Sequence, residues 1–243
     1  MSKIVERTLD FFELFAREKR ALTLSEIARM LSIPPSSCHD VLMTLSRRGY
    51  IYEPRAGAGY YPTHRLRHIA DSIATVDMTL IRAEEALRHL RDATGETVSL
   101  ARVETDRIIT LLSFPATFNF GIAPEVGTRV RSYHATAAGK AYLGSLSADA
   151  RRAYLTGREL EQLTPHTVTD VDQIEAELEF CERRGWFMNR EGSVEGVTAL
   201  ASRFTQGGTV YIVNMPGPSV RVLPKVDSLA QHLIQTCQLL QEA

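Results

Sequence analysis

Cysteine is scarce in this sequence, and the three that occur, Cys38, Cys181 and Cys237, are far apart and odd in number. Such spacing fits neither a disulfide framework nor the paired ligands of a zinc site, so free thiols in a reducing cytosol are expected, with no metal and no cofactor. Long apolar runs are missing too. The opening MSKIVERTLDFFELF carries Glu6, Asp10 and Glu13 inside its apolar stretch, which denies it the h-region of a signal peptide, and no run reaches bilayer-spanning length. A soluble, cytoplasmic chain with no membrane partner is therefore expected. Charge of one sign is absent as well: the net value of -1 over 243 residues argues against a wholly basic nucleic-acid coat.

What is present is enough apolar material for a sizeable core, at 44% of residues, in a chain longer than one typical domain. Two domains of unequal size follow, and the charge divides with them. Residues 1–67 hold eleven Lys and Arg against seven Asp and Glu, a net +4, which leaves -5 for the remainder.

In the basic portion, Val5, Leu9, Phe12 and Ala16 keep helical spacing, and Ile4, Phe11 and Phe15 form a second apolar strip beside them. Both strips are core, or the second meets another subunit. Next, Thr23 or Ser25 caps a short helix with Leu24, Ile27, Ala28 and Leu31 inward, and SIPP ends it. Pro34 disfavours helix at Ile33, whereas Pro35 and Ser36 suit the start of a new helix whose first amides lack intrahelical partners anyway. Cys38, Val41, Leu42 and Leu45 are its buried stripe; Ser36, Ser37, Asp40, Thr44 and Arg47 are outward, with His39 and Met43 nearby.

A short helix, a tight turn and a second helix with a polar outer face make a helix-turn-helix, whose second helix enters the major groove. Tyr50 to Glu53 and Tyr60 to Pro62 then read as strands around PRAGAG, with Arg55 near the tip of the wing. Ser36, Ser37, Asp40 and Thr44 are the candidates for base edges, with His39 beside them; Arg47, Arg48 and Arg55 supply charge to phosphates. Winged helices also serve as protein-interaction modules, a rival use of the same face.

From Leu66 to Ala93 a helical pattern runs without Pro or Gly, a connecting helix with a domain boundary near residue 75. ETVSLARV and RIITLLSF read as an antiparallel hairpin, TFNFGIA as a third strand, and VTALASRF with GTVYIVNM as a strand pair around Gly207 and Gly208. Helices are expected at HATAAGKAYLGSL, at DVDQIEAELEFCERRG with a cap near Asp170, and at PKVDSLAQHLIQTCQLLQ. The second domain is thus of α+β class.

HATAAGKA invites three readings. One glycine, and Ala141 after Lys140, do not make a phosphate loop. Nucleophilic catalysis through Thr136 needs a base and an orienting acid, and nothing near His134 offers the acid. What remains is a run of small residues at a helix start, where free amides and the positive dipole end attract an anion or carbonyl. Ala135, Ala137, Ala138 and Gly139 are small either for a ligand or for tight packing on the sheet. Phe114, Phe118 and Phe120 either wall an aromatic ligand or belong to the core.

The order of winged helix, linker helix, EVGTRVRSYHATAAGKAYLGSL, LTPHTVTDVDQIEAELEFCERRGWFMNREGSVEGVTALASRF and VNMPGP resembles the IclR family of bacterial transcriptional regulators over essentially the whole chain. That resemblance implies an α+β protein with an N-terminal winged helix-turn-helix over 1–67, a linker helix over 68–93 and a GAF-like effector-binding domain over 94–243. It implies a homodimer or homotetramer that binds a double-stranded DNA operator and a small organic effector, a carboxylate or an aromatic metabolite. Effectors of the family sit beside the helix start at His134, Ala135, Thr136, Ala137, Ala138 and Gly139. By spacing from RRGW and PGP, the other effector positions fall on Asn189, Ala199, Asn214 and Pro216. Two departures stand out. Only Asn189 and Asn214 of those four carry hydrogen-bonding side chains, and Asp40 replaces the Arg common on the recognition helix. An enzyme with an accessory winged helix, a hydrolase or transferase, is the rival class; it requires an acid, base and nucleophile converging in one pocket.

Overall fold

The computed structural model describes residues 2–74, 77–105, 107–119 and 121–242. It divides into two compact units, Met1–Asp77 and Met78–Ala243.

In the first unit, α1 (Lys3–Glu18) buries Phe11, Leu14 and Phe15. The second strip is therefore core apart from Ile4, and it is the first, Val5, Leu9 and Ala16, that is left exposed, with Phe12 half-buried, because Phe11 and Phe15 share the face of Leu14 that closes on α3. Helix α2 (Leu24–Met30) starts in a capping box in which the Thr23 hydroxyl accepts from the Glu26 amide and the Glu26 carboxylate accepts from the Thr23 amide. Those bonds and Arg20 hold the Glu26 carboxyl down at about 2. Helix α3 (Pro35–Arg47) has proline in its first turn and buries Cys38, Leu42 and Leu45 against α1 and α2. Strands β1 (Ile51–Tyr52) and β2 (Tyr61–Pro62) pair antiparallel as a short wing. Gly59 there has a φ of +88° and lies so close to the Leu22 backbone that a Cβ would collide with it. Helix α4 (Arg65–Ala74) completes the unit.

The connecting helix is not continuous. Helix α4 ends at Ala74, Asp77 is not helical, and α5 (Met78–Thr94) begins afresh. Asp77 is a poor helix former and a good capping residue, so the break there has a local cause that the periodic apolar pattern masks.

In the second unit β3 (Val98–Val103) and β4 (Ile108–Phe114) form the expected hairpin. The stretch TFNFGIA makes no strand among its described residues; the outer edge of β4 is instead covered by residues 127–130, with Thr110 bonded to Gly127 and Thr128 and Val130 bonded to Ile108. Helices α6 (Ala137–Ser145), α7 (Ala148–Thr156) and α8 (Val171–Arg184) follow, then β5 (Phe187–Arg190), β6 (Val197–Gln206) and β7 (Thr209–Pro218). The chain closes with α9 (Ser219–Val222) and α10 (Val226–Glu242).

The five strands form one antiparallel sheet in the order β4-β3-β7-β6-β5. Alternation along the strands gives it two apolar faces. Leu100, Leu200, Val213 and Met215 pack with Leu87, Leu90, Leu229 and Leu233 of α5 and α10. Ala101, Ala201, Ile212 and Phe187 pack with Ala137, Ala141, Leu143, Ile174 and Leu178 of α6 and α8. Pro216 is tolerated inside β7 because the ladder with β3 ends at the Ser99–Asn214 pair, so no β3 residue needs its missing N–H.

Candidate functional site

Two surfaces carry the residues singled out by the sequence, one in each unit. On α3, Ser36, Asp40, Met43 and Arg47 stand at helical spacing opposite the buried stripe, and all four are exposed. His39 is exposed beside them and lies 3.8 Å from the Asp40 carboxylate. Ser37, Thr44 and Arg48 lie on the flank that turns toward α1, where they and Asp40 line a groove of about 710 Å³ with Ile4, Arg7, Phe12 and Leu66. The Thr44 hydroxyl donates to the Asp40 carbonyl one turn earlier. Arg55 is exposed on the wing, whose turn is closed by the Gly57 amide donating to Glu53. Among the described residues Arg47, Arg48 and Arg55 have no carboxylate partner within ion-pair distance, so their charge faces solvent. Helix α3 begins without a side-chain cap, which leaves the amides of its first turn free.

In the second unit the start of α6 borders a cavity of about 230 Å³. Thr136 caps the helix, its hydroxyl accepting from the Gly139 amide at 3.1 Å. Ala137 and Ala138 supply the first amides and line the cavity, as do Ala199 and Asn214 from β6 and β7 and Pro216. The remaining walls come from Thr110, from the 122–131 segment, and from Ser193, Val194 and Val197. Thr110 is 3% exposed, and neither its hydroxyl nor the Asn214 amide has a hydrogen-bond partner among the described residues. Arg129 and Arg131 are the charged members of the lining.

The other sequence candidates lie around this cavity rather than in its wall. His134 is buried, and its Nε2 donates to the Glu161 carbonyl at 3.0 Å, pinning the 158–167 segment to the helix start; burial first, then the Lys140 charge, hold its pKa below the usual value near 6.5. Ala135 is packed beneath, and Gly139 lies so close to Tyr133 that a Cβ would run into its backbone. Smallness at 139 thus serves packing, while smallness at 137 and 138 opens space.

Asn189 is buried on β5, and its amide donates to the Ser193 hydroxyl at 3.3 Å, so it touches the cavity through Ser193. Its own hollow is a separate one, of about 350 Å³, with Lys140, His166, Glu177 and Glu191. At its floor Lys140 Nζ donates to both Glu177 oxygens, at 2.7 and 2.9 Å. Phe118 is half-exposed and packs under the Arg221 guanidinium, 4.6 Å from its ring centroid, and against Gly95. Phe114 packs in the core on the α5 side, and Phe120 lies outside the described residues. No aromatic residue therefore walls the cavity among those described.

Residues 4–55 match the family described as the IclR helix-turn-helix domain, and residues 73–241 match the one described as Bacterial transcriptional regulator IclR C-terminal. The chain belongs to the IclR family. It is 28% identical over 223 residues to the HTH-type transcriptional regulator BhcR of Paracoccus denitrificans, covering 90% of this chain and 79% of that one. With the HTH-type transcriptional repressor AllR of Escherichia coli K12 it shares 23% identity over 230 residues, covering 91% and 82%. Its fold matches the crystal structure of the Thermotoga maritima IclR with a TM-score of 0.81 at 19% identity, over 98% of this chain and 97% of that one. An IclR homolog from Microbacterium hydrocarbonoxydans, complexed with 4-hydroxybenzoate, aligns with a TM-score of 0.68 at 21% identity, over 99% and 100%. Like its curated relatives, this IclR-family chain is a DNA-binding transcriptional regulator.

Among the described residues no helix is long and apolar enough to cross a membrane. Sequence reasoning placed Met43 only near the outer stripe of α3, not in it, and missed Thr110, Arg129, Arg131 and Ser193 in the cavity. Met43 was signalled by its spacing from Ser36 and Arg47. The cavity residues had no such signal, because pairing of residues 127–130 with β4 brings them there.

Proposed function

We propose that α3 reads the operator and that the cavity beside Thr136 takes the effector that controls reading. The carrying observation is the exposed stripe of Ser36, Asp40, Met43 and Arg47 opposite a sealed core face. In this reading residues 1–67 serve DNA, 68–93 connect, and 94–243 bind the effector. The Asp40 carboxylate accepts from a cytosine amino group, Ser36 and Ser37 bond base edges or phosphates near the free first turn, and Arg47, Arg48 and Arg55 neutralise phosphates.

Effector control is supported by the free amides, the unpartnered Thr110 hydroxyl and Asn214 amide, and the complex of a family member with 4-hydroxybenzoate. The site works by binding rather than turnover, a reading supported by its lining of Thr, Ser, Asn, Arg and aliphatic groups, which among the described residues contains no side chain that exchanges protons near neutral pH. The chain acts in the cytoplasm, where operator and metabolite meet. It acts as a homo-oligomer, supported by the exposed Ile4, Val5 and Leu9 on α1; a Leu9→Glu variant no smaller by light scattering than the parent would count against that contact.

The test begins with thermal unfolding against a panel of carboxylates and aromatic acids, since a ligand selective for the folded state raises the melting temperature. The stabilising acid is then titrated with and without operator duplex. Coupling is reciprocal, so the factor by which acid changes operator affinity must equal the factor by which operator changes acid affinity. Two independent affinities would remove effector control, and no duplex retained by the chain would remove the assignment of α3.

A further inference from the structure

The stretch of lining that Ser193 and Val194 give to the cavity is held from outside it. Both belong to the loop between β5 and β6, residues 191–196, which begins with Glu191 at a φ of +58°. That left-handed conformation is unfavourable for a residue with a side chain, and it persists where its surroundings over-determine it. Here two hydroxyls do so. Thr164 Oγ1 donates to the Glu191 carbonyl at 2.7 Å, and Thr167 Oγ1 donates to the Gly192 carbonyl at 2.6 Å. Both threonines are buried, at 7% and 8% exposure.

Each hydroxyl also accepts from one backbone amide, that of Thr164 from His166 at 3.1 Å and that of Thr167 from Thr164 at 2.8 Å. With its single proton given to the loop, neither hydroxyl has a second donor bond to offer. The far end of the loop is tied elsewhere, by the Ser219 amide to the Gly196 carbonyl. The threonines therefore govern the part nearest Ser193 and Val194.

The same segment reaches the start of α6. Glu161, three residues before Thr164, accepts at its carbonyl from His134 Nε2, and His134 lies two residues before the cap Thr136. Three residues span at most about 11 Å. Two stretches of the cavity lining, 136–138 and 193–194, are thus fastened to one short piece of chain, no residue of which lines the cavity itself.

We infer that Thr164 and Thr167 are positioning residues for the effector: the 161–167 segment straps the β5–β6 loop to the start of α6 and sets the spacing of these two stretches. The use of the cavity rests on the effector reading above; the strap stands on its own bonds. A stabilising role alone would spread its loss over the whole second unit, whereas a strap acts on the loop and on what the loop helps to bind.

The test uses the full-length chain with Thr164→Val and Thr167→Val, singly and together, which keep the branched shape and remove the hydroxyl, and with Thr164→Ser and Thr167→Ser, which keep it. Amide hydrogen exchange needs no ligand. The Glu191 amide, bonded to the Val197 carbonyl at 2.9 Å, is expected to exchange about tenfold faster in each valine variant, the size of one lost hydrogen bond. In the serine variants it should keep the parent rate, with the β6–β7 ladder unchanged throughout. Calorimetric titration with benzoate, 4-hydroxybenzoate, acetate and succinate then reads binding. An acid that the parent binds is expected to lose about tenfold in affinity with valine and to keep it with serine. Unchanged exchange at Glu191, or acceleration shared equally by the β6–β7 ladder, overturns the strap. A loosened loop with unchanged acid affinity overturns the positioning role and leaves the cavity as the effector site. If the parent binds none of the four acids, or a folded Ala199→Leu variant binds them as the parent does, the effector reading fails and the positioning role with it, whatever the exchange shows. The single variants carry the result where the double one does not fold.

Discussion

Glu96 and Arg221 form a bidentate ion pair across 125 positions of sequence, Nε to Oε1 and Nη2 to Oε2 both at 2.7 Å. The pair joins the turn after α5 to α9 at the end of β7, close to Pro216 in the cavity wall. Its members are unequally placed: the Glu96 side chain is 4% exposed and that of Arg221 27%. Glu96 also occupies the space that a Cβ on Gly217 would need. Breaking the pair should therefore be asymmetric. Arg221→Ala leaves a buried carboxylate without its cation and is expected to cost about 3 kcal/mol, the low end for a broken buried pair, since Arg221 is partly solvated. Glu96→Gln keeps the shape, leaves a cation that can hydrate, and should cost about 1 kcal/mol. Urea unfolding of both variants decides it; equal losses would mean that burial of Glu96 is not the governing cost.

Gly139 offers a clean separation of packing from binding. Adding a methyl group there forces α6 away from Tyr133, with an expected loss of about 1–3 kcal/mol for overpacking. Ala138→Gly, at a position that lines the cavity, loses only helix propensity, about 1 kcal/mol, while changing ligand affinity. A Gly139→Ala variant as stable as the parent by thermal unfolding would return Gly139 to the list of ligand-facing positions.

The buried imidazole of His134 predicts a pH dependence. Its pKa is lowered in the folded chain, mainly by burial, so the unfolded chain binds the proton first as pH falls. The contribution of neutral His134 is fully present above its ordinary value near 6.5 and is lost as pH drops through the folded value. His134→Gln keeps a donor toward the Glu161 carbonyl and cannot titrate. Its stability between pH 7 and pH 5 should fall less steeply than the parent's, and parallel curves from urea midpoints would exclude His134 as a source of the slope.

How much of this was legible beforehand depends on the kind of signal. Helix α3 was readable because Pro34 and Pro35 mark its start and Cys38, Leu42 and Leu45 keep its period. Helix α8 was readable from Asp170 and Gly185, which cap its two ends, and the β6–β7 hairpin from Gly207 and Gly208 at its turn. Strand β5 was missed, since four residues directly after Trp186, with no turn residue between, show no period of their own. TFNFGIA was misread because alternating aromatics suit a strand, yet the edge of β4 was taken by residues 127–130. At the site, the start of α6 could be placed by composition, whereas Arg129, Arg131 and Ser193 come from loops whose approach is set by tertiary pairing. Spacing put Asn189 at the site without revealing that its amide is spent on Ser193.

The two arginines at the end of α3 should not be equivalent on DNA. Arg47 belongs to the outer stripe with Ser36 and Asp40, while Arg48 lines the groove beside α1. A side chain that neutralises one phosphate adds about 0.9 to the slope of log affinity against log salt, whatever the base sequence. Arg47→Ala is therefore expected to flatten the slope by about one and to weaken specific and nonspecific duplexes alike. Arg48→Ala should change it by less, because its flank turns toward α1 and away from the stripe that enters the groove of DNA. Asp40→Asn removes the one acidic group from that stripe and should strengthen nonspecific binding while relaxing preference at the base pair it faces. Fluorescence anisotropy on one duplex over a salt series measures all three. Equal slopes for Arg47→Ala and Arg48→Ala would mean that both flanks meet phosphate, and that α3 lies in the groove rotated toward α1.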